Sequence, residues 1–340
     1  MSKLLRWLLA GIRTLCLILL LAWGTLAIYY NLPWAWARLA LAVVFFIFGI
    51  WALWYSRTPR TITAFAALFL IVLVWFISIK PSHDRPWRPE VAVMPRAFID
   101  GDRVRITGVR NFDYRTRNDF TVRYEEREVS VSHLNSLDFY LSYWMPGPIA
   151  HTFLSFGFDN TPPISISIEA RPEIGESFQP IASLFKQLEL IYIVGDERDL
   201  VRVRTNYRNE DVFLYRIRIS PEFARRLFLV YLERINELAD RPEFYHLLSN
   251  NCTINIVRYA NLAGRVGRFD IPTCFPGSPI AISIAWAPWI RACRLKNCAG
   301  VLTSTRPHRP PGTRRISPSA FASPCRHRLL DPFLGILTSE

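Results

Sequence analysis

Between Lys80 and Asp270 the chain carries one thiol, Cys252 in Ser249-Asn-Asn-Cys-Thr-Ile-Asn255, and about a hundred residues upstream a histidine, His151 in His151-Thr-Phe-Leu-Ser-Phe-Gly-Phe158. A thiol becomes a nucleophile near neutral pH when an imidazole takes its proton and a helix N-terminus favours the thiolate. Ser249, Asn250 and Asn251 are capping residues, and Ile254, Ile256, Val257 and Tyr259 supply apolar positions before Gly264. Cys252 is therefore expected to open a helix, where free backbone N–H groups stabilise a thiolate and could form an oxyanion hole. Asn250 or Asn251 could add a side-chain amide, although capping alone accounts for both. The pair reads as a cysteine nucleophile with a histidine base; the plainer reading of Cys252 is a small buried hydrophobe.

Those two residues need a strand and a helix to hold them. Alternation over Ala150–Phe158, the breaker Asp159-Asn-Thr-Pro-Pro163 and strict alternation over Ile164-Ser-Ile-Ser-Ile-Glu169 predict a hairpin. Ile164, Ile166 and Ile168 share one face, and Ser165, Ser167 and Glu169 the other. Glu169 is the candidate to orient the His151 imidazole, with a surface bridge to Arg171 or another cation as the alternative. Further strands are expected at Arg103–Val109, Phe120–Tyr124, Leu188–Val194, Asp199–Arg204 and Val212–Ile219, while Ser130–Asp138 is ambiguous. Ser220-Pro-Glu222 starts a helix whose stripe Phe223, Leu227, Val230, Tyr231, Ile235 and Leu238 runs to just before Pro242. The whole reads as an α+β domain.

The net charge of +13 resolves by segment: residues 1–80 carry seven cations and no acid, residues 271–340 nine cations against Asp331 and Glu340, and residues 81–270 sum to −1. A nucleic-acid binder would carry its basic excess on the folded domain, so nucleic acid is excluded as a partner. Thr14–Ala37, Leu39–Ser56 and Thr61–Ile79 are uncharged but for Arg38 between the first two, and each can cross a hydrocarbon core of about 30 Å. Three such runs read as a permanent anchor over residues 1–80 rather than a cleaved signal peptide. Lys3, Arg6, Arg13, Arg57 and Arg60 mark the cytoplasmic side, which places residues 81–270 in the periplasm of a bacterial inner membrane.

The set His151-Thr-Phe-Leu-Ser-Phe-Gly157, Ser167-Ile-Glu-Ala-Arg171, Gly195-Asp-Glu-Arg198, Arg204-Thr-Asn-Tyr207 and Asn250-Asn-Cys-Thr253 resembles the periplasmic domain of Lnb-type lipoprotein N-acyltransferases, over about residues 90–270. A strand histidine preceding an Asn-Cys helix start is the reverse of the papain order and looks like the permuted NlpC-like thiol enzymes. The resemblance implies a permuted papain-like domain behind the three-helix anchor. It makes Cys252 the nucleophile, His151 the base and Glu169 the orienter, and implies an acyl-cysteine formed from a membrane phospholipid and passed to an amine such as a lipoprotein N-terminus. The alternatives from the residues are a cell-wall cysteine peptidase or amidase and a non-catalytic membrane scaffold. Phe139-Tyr-Leu-Ser-Tyr-Trp-Met145, just before His151, is a candidate lipid-facing loop, although core is the commoner fate of such a run.

No cofactor or metal is expected. His133 and His246 read as structural, and the Cys274, Cys293, Cys298, Cys325, His308 and His327 set fits no zinc-ligand spacing. From Ile271 the apolar periodicity is lost and ten prolines and four cysteines appear, so residues 271–340 read as a disordered or frameshifted tail. The oligomeric state is not legible.

Overall fold

A computed structural model describes residues 2–144, 150–217 and 219–264, together with the backbone of 290–294. Three helices come first: α1 (Lys3–Asn31), α2 (Ala35–Ile50, continued by a π-helical turn Trp51–Ser56) and α3 (Pro59–Ser78). All three are long and apolar enough to cross a membrane. The first begins earlier and ends earlier than its uncharged run, because Pro33 has no N–H to continue the ladder and Leu32 turns extended. Thr58 caps α3 by accepting from the Thr61 N–H at 3.3 Å, with Pro59 in its first turn. Gly24 and Gly49 bring the helices close: a Cβ on the first would meet the Phe45 ring at 2.8 Å, and one on the second the Phe65 ring at 2.9 Å.

The mixed α/β domain that follows is built on a nine-stranded sheet. Its strands are β1 (Arg96–Asp100), β2 (Arg103–Arg110), β5 (Tyr124–Ser130), β6 (Leu134–Tyr143), β7 (His151–Phe158), β8 (Ile164–Arg171), β9 (Glu189–Gly195), β10 (Asp211–Ile217) and β11 (Ile290–Arg294); β3 (Asp113–Tyr114) and β4 (Phe120–Thr121) form a separate small hairpin. The order is β1-β2-β9-β8-β7-β6-β10-β11, antiparallel except where Arg110 of β2 meets Gly195 of β9 in parallel, and β5 pairs with β2 off this path. Gly195 is required there, since a Cβ would lie 2.9 Å from the Arg110 carbonyl.

Helices α5 (Pro221–Asp240) and α6 (Cys252–Leu262) pack on one side of this sheet. Leu154, Phe156, Ile164, Ile166, Phe228, Tyr231 and Ile256 are buried together between the layers, each burial worth about 1.5–3 kcal/mol. Ser165 and Ser167 on the opposite face of β8 are equally buried, because that face is covered too. Its cover is α4 (Glu197–Arg202) and the π-helical turn Val203–Tyr207.

Two expectations change and one ambiguous stretch resolves. Asp199–Arg204 is helical rather than a strand: Asp196 accepts from the Arg198 N–H at 2.9 Å, and Glu197 and Asp199 sit in the first turn, so capping overrides the alternation. Phe139–Tyr143 is the C-terminal half of β6 rather than a loop, with Phe139, Tyr140 and Leu141 buried; Met145 lies outside the described residues. Ser130–Asp138 is the end of β5, one 3-10 turn and the start of β6. The tail and its cysteine and histidine set lie outside the described residues, apart from the backbone of β11, which runs antiparallel to β10.

Candidate active site

β7 carries His151 at its first residue, and α6 carries Cys252 at its own first residue, packed on β7. The helix start is fixed by Asn251, whose Oδ1 accepts from the Ile254 N–H at 2.9 Å and whose amide donates to the Leu247 carbonyl. Asn250 is engaged in the same way, donating to Glu243 and the Phe244 carbonyl and accepting from Asn255. Both amides therefore shape the loop, and neither is free to face a substrate. The N–H groups of Cys252 and Thr253, in the first turn, have no acceptor within the helix. The Thr152 and Thr253 hydroxyls bond at 3.1 Å and lock α6 against β7.

The Cys252 thiol, 2% exposed, is buried beside the His151 imidazole. Burial alone would push the thiol up; the neighbouring His151 first, and then Thr152, outweigh it and draw the pKa down to about 6. On the other side of the ring, Nε2 lies 2.6 Å from the Ser167 Oγ. That hydroxyl donates its only proton to Glu169 Oε1 at 2.8 Å, so it must accept from His151 Nε2–H. Nδ1 is left as the basic nitrogen facing the sulfur. Glu169 Oε1 is itself 3.7 Å from Nε2 and takes a 2.6 Å bond from the buried Arg204. Burial would raise the Glu169 carboxyl, but Arg204 first and then His151 hold it far below the usual range, so it stays charged.

The structure thus brings together Cys252, His151 and Glu169, with Ser167 interposed between the last two. Glu169 is both partner to a cation and neighbour of the imidazole, and the cation is Arg204. Arg171 instead donates to the Val91 and Ala92 carbonyls beneath the Trp87 ring. His133 is bonded to Asp159 and His246 to Ser249. Among the described residues no cluster of three or more His, Cys, Asp or Glu could hold a metal. The constellation lies in the wall of a cavity of about 570 Å³, which Trp144, Phe178 and Tyr245 also line.

Residues 120–273, from β4 past α6, match the family model described as the Lnb N-terminal periplasmic domain. This stretch is an Lnb N-terminal periplasmic domain. No curated protein and no solved structure matches the chain. With three helices able to span a membrane ahead of it, the chain is an inner-membrane protein whose soluble Lnb domain lies in the periplasm.

Two features of the Lnb domain were beyond sequence reasoning. The buried Tyr245 hydroxyl is a neighbour of the Cys252 sulfur, and burial followed by that neighbour pushes its own pKa well above 10. Its position seven residues before the thiol, in a loop rich in capping residues, is the one available signal. The second is a tether to the helices: Phe185 stacks on Tyr30 at 5.7 Å and meets Phe76 edge-on, while Lys186 Nζ donates to the Phe76, Ile77 and Ile79 carbonyls at 2.9–3.3 Å. That cation satisfies the exposed end of α3. Phe178, seven residues earlier, packs against Trp144 and Tyr245, so one short segment runs from the cavity wall to the membrane helices.

Proposed function

We propose that the Lnb domain is a thiol acyltransferase of the permuted papain-like kind, which takes a fatty acyl group from a membrane phospholipid onto Cys252 and passes it to an amine such as a lipoprotein N-terminus. The observation that carries this reading is the chain of contacts Cys252, His151, Ser167, Glu169, Arg204 in the wall of a cavity. A thiol drawn to about 6 is largely thiolate at neutral pH, with its proton on His151. The thiolate attacks the ester carbonyl, and the developing oxyanion is met by the N–H groups at the start of α6 and by the Tyr245 hydroxyl. As the ester C–O bond breaks, His151 Nδ1 returns its proton to the leaving alkoxide of the lysophospholipid, leaving a thioester. A neutral amine then attacks that thioester and gives its proton to His151, and Cys252 departs as thiolate. Glu169 acts as a positioning residue that holds the ring through Ser167.

The tether to α3 favours a lipid donor, because the wall residue Phe178 is connected within eight residues to the membrane helices. Incubation of the purified full chain with phospholipid, followed by intact-mass spectrometry, should give an added acyl mass that hydroxylamine removes and Cys252→Ala abolishes. Absence of the adduct together with Cys252-dependent cleavage of cell-wall peptides would replace this reading with a peptidase.

A further inference from the structure

Five arginines and three glutamates line the cavity, and their partners sort them. Arg110 is closed onto Asp199, and Arg204 onto Glu169. Glu210 is shared, 4.0 Å from Arg204, 3.8 Å from Arg208 and bonded to the Ser142 hydroxyl. Arg88 and Arg117, by contrast, have no side-chain hydrogen-bond or ion-pair partner among the described residues, and both are exposed at the cavity. Arg117 sits in the turn between β3 and β4, where its neighbour Arg115 is taken by Asp119. Surface arginines without a carboxylate are ordinary; two of them on the wall of a cavity that also holds an activated thiol are not.

We infer that Arg88, Arg117 and the loosely held Arg208 form a subsite for a phosphate diester, the headgroup phosphate of the lipid whose acyl chain meets Cys252. The inference rests on the acyl-transfer reading and supplies its donor recognition. Guanidinium is suited to it, since its planar donors match two phosphate oxygens at once. Arg208 is held below its usual range by burial and then by the neighbouring Arg204 charge, so an anion beside it relieves a local positive excess. Glu90 lines the same cavity, and its carboxylate also has no hydrogen-bond or ion-pair partner among the described residues. Its charge opposes a second negative charge on the ligand, which favours a singly charged diester over a phosphate monoester.

The experiment uses the full chain as Cys252→Ala in neutral detergent, so that binding is read without chemistry. A short-chain diether phosphatidylglycerol and the matching dialkylglycerol without phosphate are titrated by calorimetry against this protein and against the same protein with Arg88→Gln and Arg117→Gln. The phosphodiester lipid should bind more tightly than the phosphate-free lipid and should lose about tenfold or more in affinity in the arginine variant, with the phosphate-free lipid unchanged. Equal affinity for the two lipids, or an affinity untouched by the arginine changes, overturns the subsite. The acyl-adduct measurement on the Cys252 protein is separate: an adduct without phosphate preference sinks this inference alone, and phosphate-dependent binding without an adduct sinks acyl transfer alone.

Discussion

Arg110 and Arg204 both reach the cavity and both hold a carboxylate, yet the surroundings of the two pairs differ. Asp199 is 0% exposed and takes Arg110 Nε at 3.0 Å, Arg110 Nη2 at 2.8 Å and the Phe112 N–H at 2.8 Å, while Arg110 Nη1 goes to the Glu90 carbonyl. Both partners are saturated by groups that do not titrate near neutral pH. Glu169 receives Arg204 and Ser167 on the same oxygen, and Ser167 touches an imidazole. One ion pair therefore welds β2 to α4, and the other stands one hydroxyl away from the imidazole beside the thiol. What separates a structural pair from an electrostatic control is the titratable neighbour, not the strength of the pair.

The largest expected effect breaks the closed pair. Asp199→Ala leaves Arg110 charged and buried, which should cost about 3–5 kcal/mol of stability, read as a lowered thermal midpoint of the full chain in detergent. A midpoint unchanged by this substitution would make the weld dispensable. Glu169→Gln keeps an oxygen for Arg204 and Ser167, so it should cost less stability than Asp199→Ala, and it should slow acyl-adduct formation by about 10–100-fold, less than the ~10⁴ of a carboxylate bonded directly to a triad histidine, because Ser167 intervenes. An unaltered rate would reduce Glu169 to a partner for Arg204.

Glu189 sharpens the contrast as an intermediate case. It pairs with Arg85 at 2.9 Å, but Oε2 has no partner among the described residues and burial pushes the carboxyl up to about 7 despite that cation. A raised acid contributes stability below its unfolded value that is lost as pH rises through the folded one. Stability should accordingly decline by about 2 kcal/mol between about pH 5 and about pH 8, and Glu189→Gln should flatten that slope. A slope equal in both proteins would assign it to other groups.

The parts legible in the sequence are those set by local rules. Alternation marks β7 and β8, capping residues mark α6, and a proline with an early acid marks α5, so the strand of His151 and the helix of Cys252 could be placed without contacts. The uncharged runs likewise mark three helices able to span a membrane. Local rules failed where two of them competed: Asp199-Leu-Val-Arg-Val-Arg204 alternates like a strand, but the Asp196 cap wins. The rest is long-range. Alternation puts Ser167 on the face of Glu169, yet its place between ring and carboxylate depends on the β7–β8 register. Tyr245 meets the sulfur only because its loop pairs with Leu188 at 2.9 Å, and no spacing encodes that contact.

The central claim is that His151 activates Cys252, and the most direct test is iodoacetamide alkylation of Cys252 across pH, resolved at that residue by peptide mass spectrometry, in the full chain and in His151→Ala. The account predicts a half-maximal rate at about pH 6 in the unaltered protein and a shift to about pH 8.5 or above in the variant. A midpoint near that of an ordinary thiol in the unaltered protein, or one that His151→Ala does not move, would contradict it.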